Sequence, residues 1–304
     1  MVMERYIYLQ VPEQNYNMLF DTHTHPYMTF KKTPEVILDK FFTDNYQNKC
    51  VSIACNIDSS LQSIDFAQKY DRLYATIGFH PCDIPYTSYR SFTNIDIKKA
   101  DNIDKKIDSD MQILRDIYQK NKQYIVAIWE IGLDEYHLEN ISQKTWLDIP
   151  FIQWLQMKYF EAQVRLAKEL MLPCVIHSRE TNDKVFEILQ QEIVTDYVFH
   201  CFSWSWEFIE KVLKQNSKAM FGFWGILTFK KSYELHKIIR KIPLNNIIIE
   251  TDSPFLTPEP LRGKEENEPI FVKHVLTKLQ QLRSENSKEI QKAVYENATR
   301  FYNA

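Results

Sequence analysis

Glycine is scarce in this chain, at 5 of 304 residues. No G-x-G-x-x-G turn exists among them, which removes the fingerprint of an open, dinucleotide-binding sheet. Long apolar runs are also missing: none approaches the roughly 18 residues of a membrane-spanning helix. The N-terminal stretch MVMERYIYLQVPEQ has no apolar centre of a secretory leader. Neither a membrane span nor export is expected. The five cysteines, Cys50, Cys55, Cys82, Cys174 and Cys201, include no Cys-x-x-Cys pair, and their odd number argues against a disulfide framework. Most sit in or beside apolar runs, so buried thiols in a reducing cytoplasm are the expectation. Charge of one sign is lacking as well: 37 Lys and Arg against 40 Asp and Glu leave a net −3. The chain therefore has no broad electrostatic footprint for nucleic acid, and any polyanion must be held locally.

What is present is a large apolar content, 44%, distributed in short runs. Eight of them occur, at 17–23, 49–56, 73–80, 124–132, 173–179, 197–202, 219–224 and 246–252. Between them lie stretches with helical spacing. Thr33-Pro34 reads as an N-cap and first-turn proline. Residues 151–171, 180–191, 205–216, 231–240, 268–283 and 286–303 follow with helical period. Strand alternating with helix eight times predicts a parallel sheet closed as a (β/α)8 TIM barrel. No linker divides the chain, so residues 1–304 are expected to form one domain. A polar, mixed-charge stretch is read as a surface insertion at about 90–115.

The polar residues collect at the ends of the runs. DTHTH (21–25) sets Asp21, His23 and His25 at every second position, and alternate residues of a strand share a face. His80, Glu130, Asp134, His177, Arg179, His200, Glu250 and Asp252 end other runs. A barrel gathers all its strand ends on one rim, where catalytic residues of such folds sit. Imidazoles with carboxylates suit Zn²⁺ or Mn²⁺, whereas Mg²⁺ prefers oxygen alone. The donors suffice for two divalent metal ions, with Zn²⁺, Mg²⁺ and Mn²⁺ all left open. His236 and His274, on predicted helices, read as surface residues. Cys201, next to His200, reads as a buried thiol on the opposite strand face.

The ordered series FDTHTH, IGFHP, EIGLD, LPCVIHSRE, HCFS and IIIETDSPFL, followed by RGK and NEP, resembles the TatD family of metal-dependent deoxyribonucleases, within the amidohydrolase-like metallo-barrels. The likeness runs from about Leu19 to Tyr302. It implies His23 and His25 on one metal, Glu130 bridging, and His177 and His200 on the second. It implies Asp252 as the catalytic carboxylate in contact with metal, and His80 near the scissile phosphate. Charge adds Arg179, Arg262 and Lys264 as contacts for substrate anions. The activity implied is metal-dependent hydrolysis of DNA phosphodiester bonds. No membrane or obligate protein partner is called for, and a monomer is expected. Two alternatives share the barrel: a small-molecule amidase or lactonase, and a catalytically silent metal-binding relative. Departures from the family pattern cluster at the pocket: Pro26-Tyr27 after the second histidine, Trp129 before Glu130, Trp204 after HCFS, and Phe223-Trp224 after the seventh run.

Overall fold

The computed structural model describes residues 18–86 and 100–304. Each apolar run contains a strand: β1 (Phe20–Thr24), β2 (Lys49–Ser52), β3 (Leu73–Ile77), β4 (Ile125–Asp134), β5 (Cys174–Arg179), β6 (Tyr197–Phe199), β7 (Met220–Phe223) and β8 (Ile247–Ile249). They pair in parallel, in sequence order from β1 to β8. The described helices are α1 (Pro34–Asp44), α2 (Ile57–Lys69), α3 (Ala100–Asn121), α4 (Leu138–Thr145), α5 (Ile149–Leu170), α6 (Asn182–Gln191), α7 (Trp206–Gln215), α8 (Tyr233–Lys241), α9 (Val272–Leu282) and α10 (Ser287–Tyr302). The architecture is the expected (β/α)8 barrel.

Closure between β8 and β1 depends on residues beyond the three-residue β8. His25 N–H donates to the Ser253 carbonyl at 2.7 Å and Asp252 N–H to the His23 carbonyl at 2.9 Å. Asp21, fully buried, accepts from Thr251 N at 2.8 Å and Thr251 Oγ1 at 2.7 Å. Register shifts between Asp21 and Thr24, so strict alternation fails in DTHTH. Asp21 stitches the barrel shut, and only His23 and His25 reach the site. The same seam carries Asp252 to the two histidines.

Two apolar clusters support this frame. One fills the space between strands and helices. The other includes Phe20, Val51, Val175, Val198 and Ile248 from the strands, with Ala298 and Tyr302 of α10. Trp129 belongs to it and stands edge-on to His23, ring centroids 4.6 Å apart. His23 thus rests on an apolar floor.

The helix starts vary in chemistry. Thr33 occupies the N-cap of α1, but its side chain makes no cap hydrogen bond, and Pro34 is left to set the first turn. Asp148 caps α5 with its side chain, accepting from Phe151 N at 2.9 Å. Of the stretch expected as an insertion at about 90–115, residues 90–99 lie outside the described residues. From Ala100 it is α3, whose Ile103, Ile107, Met111, Leu114 and Ile117 are buried. Tyr159 Oη of α5 donates to the buried Asp110 at 2.6 Å, fastening α3 to the barrel wall.

Candidate metal centre

The C-terminal ends of the strands bring six expected donors together. His23 Nε2 and His25 Nε2 face each other at 2.9 Å. Asp252 Oδ1 lies 3.2 Å from the first and 3.5 Å from the second. Glu130 Oε1 is the neighbouring focus, 2.9 Å from His177 Nδ1, 2.5 Å from His200 Nε2 and 3.7 Å from His80 Nε2. His23 and His200 stand against each other, ring centroids 4.6 Å apart, so the two groups share a wall.

Their protonation follows from burial and neighbours. Burial alone would raise Glu130, but the facing imidazoles of His200 and His80 and the hydrogen bonds from His177 and His200 hold it well below the usual carboxylate range. Asp252 is likewise opposed by burial and held down by His23 and His25. Burial lowers His23 to about 4 and His80 to about 3, leaving both rings neutral with a lone pair to offer. His177 is opposed by burial yet raised to about 9 by hydrogen bonds to Asp134 and Glu130.

Two carboxylates complete the surroundings. Asp134 Oδ2 lies 3.0 Å from His177 Nε2 and fixes that ring from behind. Glu250 is fully buried and accepts the Cys201 N–H. One of its oxygens lies within 4.8 Å of ring nitrogens of His23 and His200. Burial pushes Glu250 up to about 7. Both acids stand at the ends of apolar runs, but nothing in their spacing separates a ligand from a group that orients one.

The other expected residues divide. The donors open into a cavity of about 700 Å³ whose lining includes His80, Arg179, Trp204, Trp224, Phe255 and Leu256. Arg179 is held over the Tyr136 ring, 3.9 Å from its centroid. It is not an ion-pair partner of Glu130, whose partners are histidines. Arg262 and Lys264 are exposed and stand outside this lining. Arg262 stacks over Phe229 at 3.8 Å and Lys264 Nζ donates to the Pro260 carbonyl at 3.2 Å. Cys201 differs from expectation. β6 ends at Phe199, Cys201 has a left-handed backbone (φ 47°), and it lines the cavity. A larger depression, about 1140 Å³, lies among Tyr118, Met171, Ile193 and Arg300 at the opposite end of the barrel and contains none of these donors.

A family model described as TatD related DNase matches residues 20–303. The chain belongs to the TatD family. It is similar to a metal-dependent hydrolase of Bacillus subtilis, YabD, at 32% identity over 94% of this chain and 99% of that one. It is also similar to the human 3'-5' RNA nuclease TATDN2, at 28% identity over 93% of this chain and 35% of that protein. In three dimensions it resembles the TatD homologue YjjV of Escherichia coli, with a TM-score of 0.74 and 24% identity over 94% of this chain and 98% of that chain. This chain is thus a TatD-family metal-dependent hydrolase. Its own residues fit a cation. Nε2 atoms of two buried imidazoles converge with a carboxylate oxygen, and a second carboxylate oxygen collects three more imidazoles. Such mixed nitrogen and oxygen donors are the set that Zn²⁺ or Mn²⁺ accepts.

Proposed function

We propose that this TatD-family protein is a deoxyribonuclease, hydrolysing phosphodiester bonds with two divalent cations. The observation that carries the reading is the pair of imidazole–carboxylate groups sharing one wall beneath a single cavity. His23, His25, Glu130 and Asp252 would hold one cation, and Glu130, His177 and His200 the other. Zinc or manganese suits these donors better than magnesium. When bound, such a pair supplies Lewis acidity at a phosphoryl oxygen and makes water a nucleophile near neutral pH.

The chain's own side chains supply the rest. Asp252 is held ionised by His23 and His25, so it can accept a proton from attacking water. His80 is neutral and faces His177 across the cavity, ring centroids 4.6 Å apart. It can donate a hydrogen bond to the scissile phosphate. Arg179, fixed on Tyr136 at the cavity mouth, binds a neighbouring phosphate. Arg262 and Lys264 meet phosphates farther along the strand. Exposed Phe255 and partly buried Trp204 offer faces on which bases stack. All five cysteines are free, which suits a reducing cytoplasm.

The test is direct. Purified protein is assayed for metal content and then given a 3'-labelled DNA strand, an RNA strand of the same sequence and a small ester, with and without chelator. The expected result is chelator-sensitive DNA cleavage that Glu130→Ala and His177→Ala abolish. Preference for RNA would move the substrate class. Ester hydrolysis without DNA cleavage would identify a small-molecule hydrolase, and bound metal without turnover a silent relative. Unchanged cleavage in either variant would overturn the site.

A further inference from the structure

A second group of ligating side chains stands in the wall of the same cavity, and the reaction proposed above does not use it as a cation site. Cys82 follows His80 and Pro81 in the loop after β3. Asp134 ends β4, and His137 is the N-cap of α4. A sulfur, a carboxylate oxygen and a ring nitrogen of these residues lie within 4.8 Å of one another. Cys82 Sγ is 3.9 Å from His137 Nδ1, which is 2.8 Å from Asp134 Oδ2. All three residues line the cavity. We propose that Cys82, Asp134 and His137 form a separate site for a thiophilic divalent cation of the zinc class.

Three observations carry the argument. The first is donor chemistry. Thiolate, imidazole and carboxylate together select a borderline-soft ion, and magnesium or calcium would not choose a sulfur. The second is preparation. Asp134 is fully buried, its backbone N–H donates to Gln156 Oε1 at 3.0 Å, and its Oδ1 takes the His137 N–H at 2.9 Å. These bonds hold Oδ2 toward the thiol and the imidazole. The third is access. The His137 side chain is 41% exposed and Cys82 is partly exposed, so an ion reaches the group from solvent. Three protein donors leave a coordination position open to the cavity.

The site is coupled to the main centre through one atom. Asp134 Oδ2 also lies 3.0 Å from His177 Nε2. An ion here draws on the oxygen that orients His177, so occupation slows hydrolysis.

Cobalt tests the assignment, because cysteine ligation gives Co²⁺ a sulfur-to-metal charge-transfer band that nitrogen and oxygen donors alone do not. The metal-free protein is saturated with Co²⁺, freed of excess, and examined for cobalt content and near-ultraviolet absorption. Wild type is expected to hold one cobalt more than Cys82→Ser. The band should be present in wild type, Cys55→Ser and Cys201→Ser and absent in Cys82→Ser. His137→Gln should weaken the extra cobalt by about tenfold or more, and it provides a second variant if Cys82→Ser does not fold. Equal cobalt counts in wild type and Cys82→Ser, or a band that survives Cys82→Ser and disappears in Cys55→Ser or Cys201→Ser, would overturn the proposal. The count involves no nucleic acid, so its failure is distinguishable from failure of the deoxyribonuclease reading.

Discussion

Asp252 has a left-handed backbone, φ 56°, which aspartate tolerates better than most side chains. That turn directs its carboxylate at His23 and His25 instead of along the seam. An amide at this position keeps the shape and removes the base. Asp252→Asn is therefore expected to lower kcat on a DNA strand by about 10²- to 10⁴-fold, measured at saturating metal so that weakened ligation does not account for the loss. A fall below tenfold would move the proton-accepting role elsewhere. Asp134 acts one step farther out, through His177. Asp134→Asn keeps size and loses the charge that holds the ring, so metal affinity should fall by about 10- to 100-fold. Equilibrium dialysis reads this in a Cys82→Ser background, which removes the separate site that Asp134 would share, and unchanged affinity would mean that His177 is oriented by Glu130 alone. The histidines themselves were legible in the sequence because each ends an apolar run. Asp21 was misleading for a physical reason: a register shift within β1 breaks the period on which the comb depended. His236 and His274 read as surface residues, yet His236 Nε2 bonds to the Leu227 carbonyl at 2.8 Å and His274 is half-buried.

At the scale of elements, all eight strands were legible because parallel strands buried on both faces are written as continuous apolar runs. The start of α3 was not. Its mixed charges dominate a residue count, but Ile103, Ile107, Met111, Leu114 and Ile117 recur three or four apart and lie buried on one face. Composition concealed a periodic signal that was there. The contact of β7 with the end of β8 is another case that only the fold exposes. A Cβ at Gly222 would lie 2.6 Å from Glu250 Oε2, closer than packed atoms allow. Gly222→Ala must displace a buried carboxylate that also holds the Cys201 N–H, an overpacking cost of about 1–3 kcal/mol. Calorimetry should show a Tm lower by a few degrees. A Tm equal to wild type would mean that Glu250 has room to move.

The whole molecule carries a net charge near zero, so its stability depends on pH through particular buried groups. One lies on α9, well along the chain from the strand-end donors. Burial, reinforced by Lys273, lowers His274 to about 4. In the unfolded chain the ring titrates near 6.5. Between these values the unfolded state binds a proton at His274 that the folded state does not, and stability rises with pH wherever that holds. The contribution is complete above pH 6.5 and is lost as pH falls toward 4. The metal-centre histidines respond to acid too, but they are present in both proteins. The comparison therefore isolates the contribution of His274, which is none of the centre's donors. His274→Gln keeps a polar side chain and cannot charge. Its Tm is expected to fall less than that of wild type between pH 7 and pH 5, with both proteins in the same metal buffer. Parallel Tm curves across that interval would show that the ring titrates alike in both states, and so is not desolvated by the packing of α9.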